Sequence, residues 1–329
     1  MAAEGRRLGT PRLTAPGPND ANTMAIPAAG TGEDMSELAH RLQSGHFTIT
    51  AELVPPVSSD AQEVVKRAAP LKGLVTAVNV TDGAGARAHL SSLAAARILI
   101  ENGVEPILQM TCRDRNRLAL QSDLLGALAF GIRNLLVVTG DDPKAGDQPD
   151  AKPVFDLDST GLLALAHRLS HERRLASGAL VSGPTALFLG AAALPFDPPA
   201  EWFPKDLVAK ADAGARFLQT QFCMDLGIVR RWTRRLDELG LTEQLKVLIG
   251  IAPLASARSA RWMRQRLYGT IIPDALIERL DQAADPRREG ITICAELLGE
   301  LSAIPGVAGA HIMAPANPDA IPEAVAAAG

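Results

Sequence analysis

Two carboxylates stand where acid–base chemistry needs them, at the ends of apolar, β-rich runs. Glu52 sits near the close of "FTITAEL" (47–53), ahead of Val54 and the stiff Pro55-Pro56 pair. A carboxyl among apolar neighbours loses solvation of its charged form, so its pKa rises and it becomes a candidate proton donor near neutral pH. An ordinary strand-end charge is the plainer account of the same residue. Asp141 follows "NLLVVTG" (134–140), in a stretch that carries six acidic side chains between residues 135 and 159. A surface turn rich in helix-capping Asp explains that loop as well as a functional carboxylate does. Gln219 and Gln221 lie two apart on one strand, so both amides point to one side and Thr220 to the other. An amide offers donor and acceptor together, which suits a heterocycle edge, and a polar layer inside a barrel would use the same pair. His311, in "AGAHIMAPANP", is a candidate base at the rim or a simply hydrogen-bonded ring.

Other chemistries lack their residues. The sequence has no GxSxG for a hydrolase and no HxH or HExxH pair for a metal enzyme. Cys112, Cys223 and Cys294 are odd in number, widely spaced and without a CxxC, which fits buried thiols in a reducing cytoplasm. A net charge of −4 argues against a general nucleic-acid or anionic-membrane binder. No uncharged apolar run is long enough to span a bilayer. The hydrophobic share is 47% but aromatics are only 4%, so Ala, Leu, Val and Ile must fill a large core.

The elements that position these residues repeat in type. Strand candidates are 47–53, 75–80, 105–111, 134–140, 185–192, 216–223, 246–253 and 306–314. Helix candidates between them are 59–70, 90–102, 115–130, 158–176, 201–213, 226–239, 257–267, 273–302 in two pieces, and 317–328. Alternating strands and helices imply parallel pairing through right-handed crossovers, and eight units in this length predict a single closed (β/α)₈ TIM barrel. The competing doubly wound sheet would need a GxGxxG after the first strand, and only "GAG" (83–85) is present. In a barrel the chemistry sits at the C-terminal strand ends. Those ends hold Glu52, Thr81-Asp82-Gly83, Gln109-Met110-Thr111, Thr139-Gly140-Asp141, Ala192-Ala193, Thr220-Gln221, Pro253 and His311. The arginine-rich segments 229–240 and 258–267 read as outer helices, with Trp232, Leu236 and Leu239 inward and the arginines in water. Residues 1–36 are rich in Ala, Gly, Pro and Thr without hydrophobic period, a disordered extension, leaving 37–329 as one barrel domain.

These strand ends, in this order, resemble the methylenetetrahydrofolate reductase family. The likeness runs from about residue 47 to 320 through "TAELVPP", "VNVTDGAGA", "PILQMTCRDRNRLALQSDLLGALAFGIRNLLVVTGDDPKAGD", "VFDLDSTGLL", "KADAGARFLQTQFCMD", "GIAPLAS" and "GAHIMAPAN". The resemblance implies a barrel that binds FAD and interconverts 5,10-methylenetetrahydrofolate and 5-methyltetrahydrofolate in one-carbon metabolism and methionine biosynthesis. It implies that Glu52 is the acid assisting opening of the methylene bridge and that Asp141 is the carboxylate near flavin and pterin. It makes Gln221 the amide that contacts the pterin. Thr81, Gln109, Gly140, Asp141, Phe155, Asp156 and Lys210 fall at flavin-contacting positions, with Lys210 facing the diphosphate. The implied partners are the folate substrate, an electron donor (NADH, NADPH or a partner redox protein) and a second copy of the chain in a cytoplasmic homo-oligomer.

The sequence departs from the family at three places. Gln109 replaces a His, the Tyr expected near the end of the fifth strand is missing from "GAAALPFDPP", and Ala257 stands where NADH-using members have Phe. Two fewer aromatics imply less stacking surface at the mouth of the site. The alternative reading is a barrel subunit of a methyl-transfer complex that takes electrons from a partner protein or is not itself catalytic. An unrelated barrel lyase would want a Schiff-base Lys at a strand end, and none is found there.

Overall fold

The computed structural model describes residues 35–315 and 317–329. Of the expected N-terminal extension, only Met35 and Ser36 fall within the described residues. The chain enters through α1 (Glu37–Gln43) and then β1 (Thr48–Leu53), α2 (Ala61–Ala68), β2 (Ala77–Val80), α3 (Ser92–Glu101), β3 (Pro106–Thr111), α4 (Arg117–Ala129) and β4 (Asn134–Val138). The second half runs α5 (Ser159–Glu172), β5 (Phe188–Ala193), α6 (Lys205–Asp212), β6 (Phe217–Phe222), α7 (Leu226–Glu238), α8 (Leu241–Gln244) and β7 (Lys246–Ile251). It ends with α9 (Ala257–Arg266), α10 (Asp274–Gln282), α11 (Pro286–Ser302), β8 (Val307–Ile312) and α12 (Ala320–Ala328). All eight strands pair in parallel, in sequence order, and close into a barrel.

The expected strands are all found. The helices also stand where expected, with instructive trims. The helix expected over 158–176 stops at Glu172 because Arg173 turns left-handed (φ 55) and Arg174 then bridges Leu180. The one expected from 201 begins at Lys205, after Pro204. Helix starts follow side-chain caps: Asn116 accepts from Leu118 N and Ala119 N, Asp158 from Gly161 N, and Asp225 from Ile228 N.

Two helices were not expected. The short α8 extends α7 past Gly240. The more consequential one is α1, which plugs the barrel floor. Leu38, Ala39 and Leu42 are buried against Ala77, Ile107, Leu136, Phe188, Phe217 and Leu248 from the strands' inner faces. Its first turn is tied down by Glu105, whose carboxylate accepts from Glu37 N and Leu38 N at 2.8 and 2.9 Å and from Asn134 Nδ2 at 2.9 Å.

The outward strand residues, such as Ala51, Leu53, Val78, Val80, Leu108 and Met110, pack under the helix layer as the main core. Trp232 and Leu236 are buried there and Leu239 packs against it, while Arg231 pairs with Asp197 and Arg230 with Glu300 in solvent. All three cysteines are buried and free. Among the described residues no helix is long and apolar enough to cross a membrane.

Closure depends on the seam between β8 and β1, where Thr48 is in register with Gly309 and Thr50 with His311. A Cβ on Gly309 would be driven into the Thr48 carbonyl. Gly309→Ala is therefore expected to lose about 2 kcal/mol or more, the scale of overpacking against backbone that cannot yield. Gly299→Ala, in α11 with open space around the added methyl, is expected to gain about 0.5–1 kcal/mol from helix propensity. Urea unfolding of the two variants checks both signs.

Candidate active site

The C-terminal rim of the barrel opens into a cavity of about 820 Å³. It gathers Glu52 from β1, Gln109 from β3, Gly140 and Asp141 after β4, Gln219 and Gln221 from β6, and Lys210 from α6. Six of the nine expected site residues thus meet in one space. Thr81, Phe155 and Asp156 are not among its lining residues.

Glu52 stands half-buried on the cavity wall near the end of β1, in register with Asn79 of β2. Burial removes water from its charged form and pushes the carboxyl up from 4.5 to about 7. Asn79 is fully buried, and neither amide atom has a partner. His311 differs from expectation. It is not at the rim but fully buried inside the barrel, because β8 registers it against Thr50, two residues below Glu52. Its Nδ1 lies 2.9 Å from Thr50 Oγ1, Nε2 is unpartnered, and burial pushes the imidazole down to about 3, so the ring is neutral.

Asp141 hangs on a short backbone anchor, accepting from Gly85 N at 3.0 Å through Oδ2. The turn before it requires glycine: Gly140 has φ +94, and a side chain there would press on Arg113 and Thr111. Asp142, by contrast, is the cap that the plainer reading of this loop expected, accepting from Lys144 N. Arginines of the "TCRDRN" segment cross-link the loops beneath. Arg115 binds Asp82 and Asp123, and Asp82 also accepts from Thr111 N at 2.8 Å. Arg113, 5% exposed, donates to Asp114 and to the carbonyls of Gly83 and Asp141. Arg117 takes Asp156 through both carboxylate oxygens, and that pairing holds the Asp156 carboxyl at about 2. Neighbouring Phe155 is exposed, with a left-handed backbone (φ 42).

On the other wall, Gln219 Oε1 is buried without a partner. Gln221 folds over its own strand: Oε1 accepts from Phe222 N at 3.0 Å and Nε2 donates to the Tyr268 carbonyl at 3.2 Å. Thr220 also lines the cavity, and its hydroxyl accepts from Gly250 N where β6 and β7 slip register. Lys210 Nζ donates to the Ala192 carbonyl at 2.8 Å, and burial lowers its pKa.

The two aromatics whose absence the resemblance marks are absent, and other aromatics stand at the mouth. Ala257 is indeed buried at the start of α9, away from the lining. Phe196, Trp202, Phe203 and Tyr268 line the mouth instead. Phe196 and Trp202 meet edge to face at 4.9 Å, in a proline-rich loop fastened to α7 by Arg231–Asp197 and by Arg235 Nε on the Trp202 carbonyl. The only sequence signal for this was the composition of "LPFDPPAEWFP" (194–204), three aromatics among four prolines. Among the described residues no group of three or more His, Cys, Asp or Glu is placed to hold a metal ion.

A parallel eight-stranded barrel with its polar side chains converging at the C-terminal rim defines the architectural class. The chain belongs to the methylenetetrahydrofolate reductase family, whose model matches residues 37–329. It is 28% identical over 195 residues to a probable methylenetetrahydrofolate reductase (NADPH) of Caenorhabditis elegans, covering 58% of this chain and 26% of that protein. It is 25% identical over 236 residues to the 5,10-methylenetetrahydrofolate reductase of Pectobacterium carotovorum subsp. carotovorum, covering 69% and 71%. The chain thus spans about a quarter of the worm protein and most of the bacterial one. Among solved structures it resembles a Clostridium thermocellum protein that binds two copies of 5-methyl-5,6,7,8-tetrahydrofolic acid (TM-score 0.58, 12% identity, 88% of this chain and 96% of that one). It also resembles DmoA of Hyphomicrobium sulfonivorans (TM-score 0.53, 12% identity, 85% and 86%). At such identities the likeness is one of fold.

The raised pKa of Glu52 has a consequence for stability. The fold favours the neutral acid, so this contribution is whole below about pH 4.5 and is lost as pH climbs to about 7. Glu52→Gln lacks that loss. Its stability relative to the parent should rise between pH 4 and 8 by on the order of 3 kcal/mol, then level off. Paired urea titrations across that range check it.

Proposed function

We propose that this protein is a flavin-dependent oxidoreductase interconverting 5,10-methylenetetrahydrofolate and 5-methyltetrahydrofolate. The observation that carries the reading is a half-buried Glu52, its carboxyl pushed up to about 7 by burial, sharing one cavity with the carboxylate of Asp141 and the amide of Gln221. Acid, counter-charge and heterocycle contact are the three roles that opening and reducing a methylene-bridged pterin requires.

The residues fit a flavin. The unpartnered Gln219 Oε1 and the amide of Gln109 give a flat ring hydrogen-bonding partners. The desolvated Lys210 ammonium supplies a point charge for a diphosphate. Of the other expected flavin contacts, Gly140 and Asp141 line the same space, while Thr81 is buried with its hydroxyl unpartnered, Phe155 is exposed and Asp156 is held by Arg117, and none of the three lines the cavity. When bound, a flavin supplies the hydride; the protein supplies position and field.

Glu52 holds a proton near pH 7 and gives it to the bridging nitrogen as the methylene ring opens, leaving an iminium cation on the substrate. Asp141 carries the opposite charge for that cation, and its anchor on Gly85 N keeps the carboxylate from swinging away. Gln221 presents donor and acceptor to the pterin edge once it releases its own backbone contacts. The neutral His311 and Asn79 keep the space beneath Glu52 polar without adding a charge that would ionise it.

Anaerobic titration of purified protein with FAD, NADH, NADPH and 5-methyltetrahydrofolate tests the reading directly. Flavin should be retained and should bleach with a nicotinamide donor, with methylfolate, or with both. Folded protein that takes up no flavin and binds no reduced folate would overturn it. In Glu52→Gln, flavin should still bind and accept electrons, while turnover of methylenetetrahydrofolate drops by about a hundredfold or more. Asp141→Asn should raise the flavin midpoint potential by on the order of tens of millivolts, because a nearby negative charge no longer opposes reduction. It should slow the folate half-reaction in stopped flow while sparing donor oxidation.

A further inference from the structure

Among the described residues, Asn79 is the side-chain amide left with both its nitrogen and its oxygen buried and unbonded. An amide in that state keeps the cost of leaving water and gains nothing in return, so a native protein supplies it a partner. Strand alternation points Asn79 inward: Val78 and Val80 pack outward under the helices, and Ala77 faces the floor cluster. On one side its register partner is Ile107 of β3, which is apolar; on the other it is Glu52 of β1. Adjacent strands run about 4.8 Å apart, which puts the Glu52 carboxyl within side-chain reach. The terminal torsion of the amide is soft, and a turn about it brings Nδ2 to that carboxyl. The next residue on the same face is Thr81, about 6.6 Å up the strand. Its hydroxyl is also buried without a partner.

We propose that Asn79 is the positioning residue of the acid: Nδ2 donates to the inner oxygen of the Glu52 carboxyl, and Oδ1 accepts from the Thr81 hydroxyl. That one arrangement uses all three orphaned atoms. It also assigns the proton. The carboxyl oxygen that accepts from Nδ2 is the one without hydrogen, so the O–H stands on the oxygen turned to the cavity. After the proton has left, the same N–H holds the carboxylate in place. The elements packed around Glu52 offer it polar groups without charge, Asn79 from β2 and the neutral His311 from β8. The charged groups elsewhere on the cavity wall are Asp141, Lys205, Asp206 and Lys210. The consequence for catalysis rests on the function proposed above; the pairing itself does not.

Solution NMR of protein carrying isotope-labelled asparagine reads the pairing without flavin or folate. The Asn79 Nδ2 signals are those lost in Asn79→Leu, or in Asn79→Ser should the leucine variant fail to fold. In the parent, one of the two Nδ2 protons should move downfield as pH rises through the Glu52 midpoint at about 7, because an anionic oxygen accepts more strongly. In Glu52→Gln the signals should stay put through the same range. Both protons moving together, or neither moving while Glu52 titrates, would overturn the pairing and leave the proposed function standing. Stopped flow then reads the consequence. Asn79→Leu or Asn79→Ser should slow the folate half-reaction about tenfold, as a misplaced reacting group does, and spare donor oxidation. An unchanged folate half-reaction would overturn the positioning role. Protein that shows the pairing by NMR yet takes up neither flavin nor folate would overturn the proposed function and leave the pairing intact.

Discussion

The contact between β8 and β1 is the constraint on which the remainder depends. Seven parallel pairings can exist in an open sheet; the eighth makes a rim. Only with Thr48 against Gly309 and Thr50 against His311 does the end of β1 come round to face the ends of β4 and β6. Glu52, Asp141 and Gln221 are far apart in sequence, and no local preference brings them together. The missing Cβ at 309 lets the two backbones approach closely enough for the ladder to form. On the floor, α1 covers the opposite end with Leu38 and Leu42 packed on the inner faces of the strands.

Closure also sets the electrostatics. Inside a barrel, side chains on adjacent strands converge, and a carboxyl at Glu52 meets protein where a strand-end charge on an open sheet would meet water. Desolvation alone lifts it to about 7. The groups around it are chosen by the same logic. Asn79, in register with it, and Thr50 and His311 below it are polar yet uncharged. A cation in any of those places would return Glu52 to the ionised state and remove the proton that the proposed chemistry uses.

Much of this is legible in the sequence because the periodicity is strong. Eight β-rich runs separated by amphipathic stretches predict the barrel, and the barrel predicts the rim, which gathers Glu52, Gln109, Asp141 and Gln221. What escaped depended on long-range geometry. α1 has seven residues and a polar exposed face, too short for its period to stand out, and its N-terminal support comes from Glu105, 68 positions away from Glu37. His311 follows an apolar run and reads as a strand end, yet the parallel register with Thr50 draws it a layer inward. The aromatic lip escaped because its members lie on two loops, around residues 196–203 and at 268, joined only through folding.

The acidic residues after β2 and β4 illustrate how one residue type divides its duties. Asp82, after β2, and Asp156 are consumed by Arg115 and Arg117, and Asp142 and Asp158 by the backbone N–H groups that they cap. Asp141 has a single backbone donor on one oxygen, and it lines the cavity. Arg113 comes near but spends its guanidinium on Asp114 and on carbonyl oxygens, including that of Asp141 itself. An arginine bound to the carboxylate would have cancelled the charge; bound to the main chain, it fixes the turn and leaves the negative charge facing the cavity. The arginine-rich stretch and the acidic loop are therefore one construction, in which paired charges hold still the carboxylate that lines the cavity.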